Sequence, residues 1–231
     1  MRRCRPREIF FELLDLAGKR VVDVGCGETD LAHRMAERGA VAFGIDTKED
    51  AIARAQAARP GSGATYRVGC AEKMPFDDAS LDIVVFTNSL HHVAPELMAA
   101  AMDEAWRVLV PGGILMVADP LASGPRYELT RLIDDEAEVR KAAWAAVDGA
   151  LRRGFTLERE LDFIHERPFD SYDDFRRKVC RNDKRTRAFA ANEAAMRHNY
   201  DTLGTPRDGG KVFDQPIRVK LMRKRARAAA A

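Results

Sequence analysis

The run Val21-Val22-Asp23-Val24-Gly25-Cys26-Gly27 holds the residues best suited to grip a ligand. Apolar residues around one acid, followed by two glycines spaced by one, read as a buried strand breaking into a tight turn. A helix is expected from about Leu31. Glycine lets the backbone turn sharply and lets a ligand approach the main chain with no Cβ in the way. A dinucleotide site requires a third glycine at position 30 and a helix entry friendly to phosphate. Position 30 is Asp30, and Glu28 also sits at the entry. Two carboxylates there oppose a diphosphate and tolerate a cation. The turn therefore suits a nucleoside carrying positive charge, as S-adenosyl-L-methionine does through its sulfonium and ammonium.

Asp46 closes the next strand-like run. A carboxylate at that strand end can accept both hydroxyls of a ribose, and the alternative is a cap for the helix around Glu49. His91 and His92 follow the fourth apolar run, at the sheet edge where such folds place ligands. Imidazole titrates near neutral pH, so either could take a proton from a hydroxyl or an acidic carbon. Either could equally pack or bond to backbone. Cys4, Cys26, Cys70 and Cys180 form no CxxC pair. That spacing suits neither a disulfide framework nor a zinc site, so no metal is expected and a reducing, cytoplasmic setting is.

The elements that must position these groups alternate through the first half. Apolar runs at 20–24, 41–45, 64–68, 82–87 and 114–118 are separated by helical patterns near 31–38, 51–58 and 96–109. In the last helix Leu97, Ala101, Ala105 and Leu109 recur every four residues, and Pro111-Gly112-Gly113 ends it. Alternating strands and helices imply an α/β fold, a parallel sheet with right-handed crossovers and helices on both faces. The second half predicts a long helical stretch over 127–153, a strand over 157–166, helix over 172–203 and a last strand over 217–222. Asp208-Gly209-Gly210 marks the break before that strand.

A chain of 231 residues with 46% hydrophobic content can bury one sizeable core. A formal net charge of +2 points to neither nucleic acid nor membrane as a bulk partner. No apolar run reaches membrane-spanning length. The basic run over 176–187 contains Asp183 and follows Asp173 and Asp174, so a solvated helix face outweighs an RNA-binding one.

Several blocks stand in a telling order: Asp23-x-Gly25-x-Gly27; Gly44-Ile45-Asp46; Ala71-Glu72-Lys73-Met74-Pro75-Phe76; Leu81-Asp82-Ile83-Val84; Ser89-Leu90-His91-His92-Val93; and Arg107-Val108-Leu109-Val110-Pro111-Gly112-Gly113. Over roughly 15–120 the chain resembles the class I S-adenosylmethionine-dependent methyltransferases, most closely the type 11 methyltransferase group. The resemblance implies a doubly wound, Rossmann-like, seven-stranded and mostly parallel sheet whose last strand is antiparallel. Together with the element pattern it implies a single domain over 1–231. That domain would comprise a cofactor half (15–120), an acceptor half (121–222) with a helical insertion at about 168–211, and a basic tail (223–231).

The resemblance also implies roles. Asp23 would face the methionine ammonium, directly or through water, while Gly25 and Gly27 let the backbone pass under the ligand and Cys26 lies close to it. Asp46 would accept the ribose hydroxyls. The N–H of Ala71 would meet the adenine, with Cys70 and Glu72 beside it, and main chain at Asn88 would approach the methionine moiety. Two positions depart from the family pattern: Thr29 replaces a usual glycine, and Cys70 replaces a usual aspartate. The expected reaction is transfer of a methyl group to a small organic molecule. Alignment of nucleophile, methyl carbon and sulfur supplies much of such a rate, so a histidine base is optional. The alternatives are RNA methylation and a cofactor-free interaction module. The chain has Asn88-Ser89-Leu90-His91 where an Asn/Asp-Pro-Pro-aromatic motif would favour methylation of adenine in nucleic acid.

Overall fold

Runs rich in apolar, β-branched residues, each with one acid, make the centre of the sheet at β1 and β4. The computed structural model describes residues 1–226 except 29, 59 and 62. Helix α1 (Pro6–Leu13) precedes β1 (Arg20–Val24), α2 (Leu31–Ala36), β2 (Val41–Asp46), α3 (Glu49–Ala58), β3 (Thr65–Val68) and β4 (Leu81–Thr87). Two short 3-10 turns, Leu90–His92 and Pro95–Leu97, lead into α4 (Met98–Val108) and β5 (Leu109–Pro120). Then come α5 (Pro125–Thr130), α6 (Ala137–Arg152) and β6 (Phe155–Phe169). Helices α7 (Tyr172–Val179), α8 (Asp183–Ala191) and α9 (Glu193–Leu203) precede β7 (Thr205–Arg207) and β8 (Gly210–Lys224).

The sheet runs β3-β2-β1-β4-β5-β8-β6, with β7 paired to β8 off this path. Strands β1 to β5 pair in parallel, and the strands at the C-terminal end of the chain are antiparallel. The expected seven strands are therefore eight. The addition is β7, a three-residue strand that hairpins onto β8 through Asp208 and Gly209, both at positive φ. A two-residue Asp-Gly loop is the connection that best matches the twist of paired strands.

The chain divides into two compact units. One comprises residues 7–119, 141–161 and 219–231, the other residues 1–6, 120–140 and 162–218. In the first, Val21, Val22, Ile83, Val84, Val85, Phe86, Leu115 and Val117 are buried from the sheet. Helix α4 buries Met98, Ala101, Met102, Ala105 and Val108, a stripe at three- and four-residue spacing. Each large side chain there contributes about 1.5–3 kcal/mol relative to exposure. The second unit has its own core, in which Phe169, Phe175, Phe189, Tyr200 and Phe213 pack with Leu129 and Met196.

Both long helical stretches expected in the second half are broken, and polar side chains do the breaking. Asp135 Oδ1 accepts the Ala137 N–H at 3.0 Å and the Tyr127 hydroxyl at 2.8 Å, starting α6 afresh. Asn182 accepts the Arg185 N–H at 2.9 Å and caps α8. Short polar side chains compete in this way for backbone groups. The expected tail is also shorter than read: Arg223 and Lys224 end β8, and the Lys224 ammonium donates to the Trp106 and Leu109 carbonyls at 2.6 Å. Positions 227–231 and the departure at Thr29 lie outside the described residues. Among the described residues no helix is long and apolar enough to cross a membrane.

Candidate active site

Strand order reverses about β1, with β2 on one side and β4 on the other, and ligands of doubly wound sheets bind outside the strand ends at such a point. A cleft of about 460 Å³ opens there. It is lined by Val24 and Gly25 from the end of β1, Asp46, Thr47 and Lys48 from the end of β2, and Gly69, Ala71 and Glu72 after β3. Phe86, Ser89, His92, Val93, Ala94 and Leu97 complete it from β4 and the turns that follow.

Close approach explains the first glycine. Gly25 sits at φ +72°, and a Cβ there would lie 2.7 Å from the Ser89 Cβ. The Ser89 hydroxyl donates to the Val24 carbonyl at 2.6 Å, fastening the end of β1 to the segment after β4. The N–H groups of Gly25 and Cys26 both donate to the Ile45 carbonyl, at 2.8 and 3.0 Å. Gly27 then donates to Asp46 Oδ2 at 2.9 Å, and Lys48 N–H donates to Asp46 Oδ1 at 2.9 Å. Each carboxylate oxygen keeps acceptor capacity, so Asp46 is oriented by backbone and still able to take hydroxyl donors.

A second carboxylate organises the far wall. Asp119 is fully buried; its Oδ1 accepts the Ser89 N–H and its Oδ2 the His91 N–H, each at 3.1 Å. The His91 ring Nδ1 lies 3.1 Å from the same Oδ2 but out of line for a hydrogen bond. His91 is buried, whereas His92 is exposed at the cleft, their ring centroids 4.1 Å apart. On the adenine side of the expected site, Glu104 accepts the Met74 N–H at 2.9 Å and both Nε and Nη2 of Arg107 at 2.8 Å. Arg107 in turn donates to the Met74 and Phe76 carbonyls at 3.1 and 2.9 Å, pinning the segment that follows Glu72.

Of the residues expected to hold a cofactor, Gly25, Asp46, Ala71 and Glu72 line the cleft; Asp23, Cys26, Gly27, Cys70 and Asn88 do not. Asp23 is 2% exposed within β1. Burial, then the charges of Asp23 and Asp46, push the Cys26 thiol far above its ordinary pKa, so it is no nucleophile. Cys70 places its sulfur 3.8 Å from the Lys73 carbonyl, and burial followed by Glu72 raises its pKa. Asn88 holds a left-handed φ of +54° and donates its N–H to Ala118 at 2.8 Å. Sequence reasoning missed Lys48, Ser89 and the apolar wall of Phe86, Val93 and Leu97. The Ser89 contact had a signal in Gly25, since glycine at a strand end implies a near neighbour.

The acids at the helix entry are paired, not bare as the sequence suggests. Glu28 is paired with Arg54 at 2.8 Å and Asp30 with Arg34 at 2.6 Å, so neither confers a bare negative mouth. The acid of this turn that lines the cleft is Asp46.

Residues 22–117 match the family model described as a methyltransferase domain. An uncharacterized methyltransferase of Synechocystis is 34% identical over 102 residues, which cover 44% of this chain and 47% of that protein. A ubiquinone biosynthesis O-methyltransferase of Pseudomonas fluorescens is 38% identical over 108 residues, covering 44% of each. A fatty-acid O-methyltransferase of Mycolicibacterium smegmatis is 31% identical over 155 residues, covering 65% of this chain and 54% of that protein. The chain thus spans about half the length of the curated relatives it matches. Among solved structures, a protein of Bacillus halodurans described as a putative methyltransferase aligns with a TM-score of 0.69 at 23% identity, covering 95% of this chain and 98% of that one. At that identity the likeness concerns the fold.

Proposed function

We infer that this chain, whose residues 22–117 match the methyltransferase-domain model, transfers the methyl group of S-adenosyl-L-methionine to a small organic molecule. The observation that carries this reading is Asp46, held at the end of β2 by the N–H groups of Gly27 and Lys48 and lining the cleft. A carboxylate so oriented accepts a ribose diol without first paying to be ordered. The residues present fit the cofactor: small Gly25, Gly69 and Ala71 leave room for a flat ring and main chain contacts, and the cleft volume lies in the range of small-molecule sites.

When bound, S-adenosyl-L-methionine supplies an electrophilic methyl group on a cationic sulfur. The chain's own residues bind, orient and shield. Asp46 takes the ribose hydroxyls, the Ala71 N–H meets the adenine, and Phe86, Val93 and Leu97 exclude water from one side. Asp23, next to Val24 at the end of β1, is the acid that the family resemblance assigns to the methionine ammonium. His92, exposed at the cleft, is the histidine placed to take a proton from the acceptor; His91, buried beside Asp119, positions the turn that carries it. The O-methyltransferases among the relatives support a small organic acceptor. Four free cysteines fit a reducing compartment such as the cytoplasm.

Calorimetry with S-adenosylhomocysteine tests the assignment. The wild type is expected to bind, and Asp46→Ala to lose at least tenfold in affinity while staying folded. Equal affinity in the two proteins removes Asp46 from the site, and no binding to the wild type rejects the cofactor.

A further inference from the structure

The second unit contains a cavity of about 350 Å³ formed by β6, α5 and α7, and it shares no residue with the cleft just described. Its walls are Arg126, His165, Glu166, Arg167, Pro168, Phe169, Lys178 and Arg181. Two of these charges are cancelled locally. Glu166 takes a two-pronged pair from Arg207 at 2.7 and 2.8 Å, and Lys178 pairs with Asp174 at 2.7 Å. Three guanidiniums remain, those of Arg126, Arg167 and Arg181; Arg181 Nε donates to the Lys178 carbonyl at 2.9 Å, and none of the three pairs with a carboxylate among the described residues.

Arg126 is the telling member. Its Nη1 is buried with no hydrogen-bond partner, and its guanidinium carbon lies 5.5 Å from the centroid of the Phe169 ring. Loss of solvation, then the charges of Arg167, Arg140 and Arg185, press its pKa down. A buried charged donor with no acceptor is costly, and proteins keep such groups where a ligand supplies the acceptor. His165 adds a neutral donor, since burial and then the Arg167 and Arg5 charges push its pKa down to about 4.

We propose that this cavity binds a small phosphomonoester, with Arg126, Arg167 and Arg181 contacting its phosphate oxygens. Three unpaired cations match a dianion better than a single carboxylate does, and the planar guanidinium fork fits phosphate oxygens two at a time. Pro168 and Phe169 offer an apolar wall, and the volume leaves space for an organic body beside the phosphate. The basic run of α7 and α8 gains a division of labour from this. Arg176 pairs with Glu193 and Arg185 with Asp134, as a solvated face would have them, while Arg181 serves the cavity.

The same chemistry has two sources, free phosphate or a phosphate ester, and titration calorimetry separates them. Phenyl phosphate should bind the wild type at least tenfold more tightly than inorganic phosphate. Both Arg181→Gln, at an exposed position, and Arg126→Gln should weaken phenyl phosphate binding tenfold or more. Circular dichroism and Tm should match the wild type in both variants, which shows them folded. Absence of phenyl phosphate binding to the wild type, or equal binding by Arg181→Gln, overturns the site. Equal affinity for inorganic phosphate and its ester overturns the organic body. These outcomes are independent of whether the cleft binds its nucleoside.

Discussion

Asp46 Oδ2 accepts the Gly27 N–H at 2.9 Å, so the acid that ends β2 and the second glycine of the turn after β1 form one hydrogen-bonded unit. Anything that shifts the turn therefore shifts the carboxylate, and binding in the cleft becomes sensitive to residues that touch no ligand.

Gly25→Ala should show this. The added Cβ meets Ser89 at 2.7 Å in a backbone conformation at φ +72° that alanine resists. Backbone strain and overpacking together should cost about 2–4 kcal/mol. Thermal unfolding should begin several degrees lower, and S-adenosylhomocysteine affinity should fall with it. A variant with unchanged Tm would mean that Ser89 moves away freely.

Glu104→Gln probes the wall beyond Glu72. Hydrogen bonding from Arg107 holds the Glu104 carboxyl below its usual pKa. A lowered folded-state pKa gives stability that is present above the unfolded value of about 4.3 and is lost as pH falls through the folded value. At pH 7 the variant should be less stable by about 1–2 kcal/mol, a discounted figure because Arg107 is partly exposed. Stabilities of the two proteins should draw together as pH falls from about 4.3 and meet only below the lower folded-state value. A gap that persists there would assign the loss to packing.

The two histidines should behave differently. His92→Ala should lower the rate of methyl transfer by more than it lowers S-adenosylhomocysteine affinity, because its ring is exposed at the cleft. His91→Ala should lower Tm, since it opens a cavity beside buried Asp119, at a cost of about 1–3 kcal/mol. Full activity in His92→Ala would remove that ring from the chemistry.

The first half was legible because its strands are short apolar runs bounded by glycines. The run 20–24 matches β1 to the residue, and Asp46 closes β2 as expected. What failed to show were features set by contacts distant in sequence. Glu28 and Asp30 looked like a bare acidic entry; Asp30–Arg34 is a pair four residues apart that could be read, but Glu28–Arg54 closes only in the fold. The helix breaks at Asp135 and Asn182 depend on side chains that look unremarkable within a helical pattern. Neither could periodicity reveal that Arg126, Arg167 and Arg181, on three different segments, would converge.

The decisive measurement is a crystal structure of the protein with S-adenosylhomocysteine. The nucleoside should lie in the cleft at the ends of β1 and β2, its ribose hydroxyls on the Asp46 carboxylate and its adenine against Ala71. A ligand seated elsewhere, or one in the cleft with Asp46 making no contact to the ribose, would contradict the assignment.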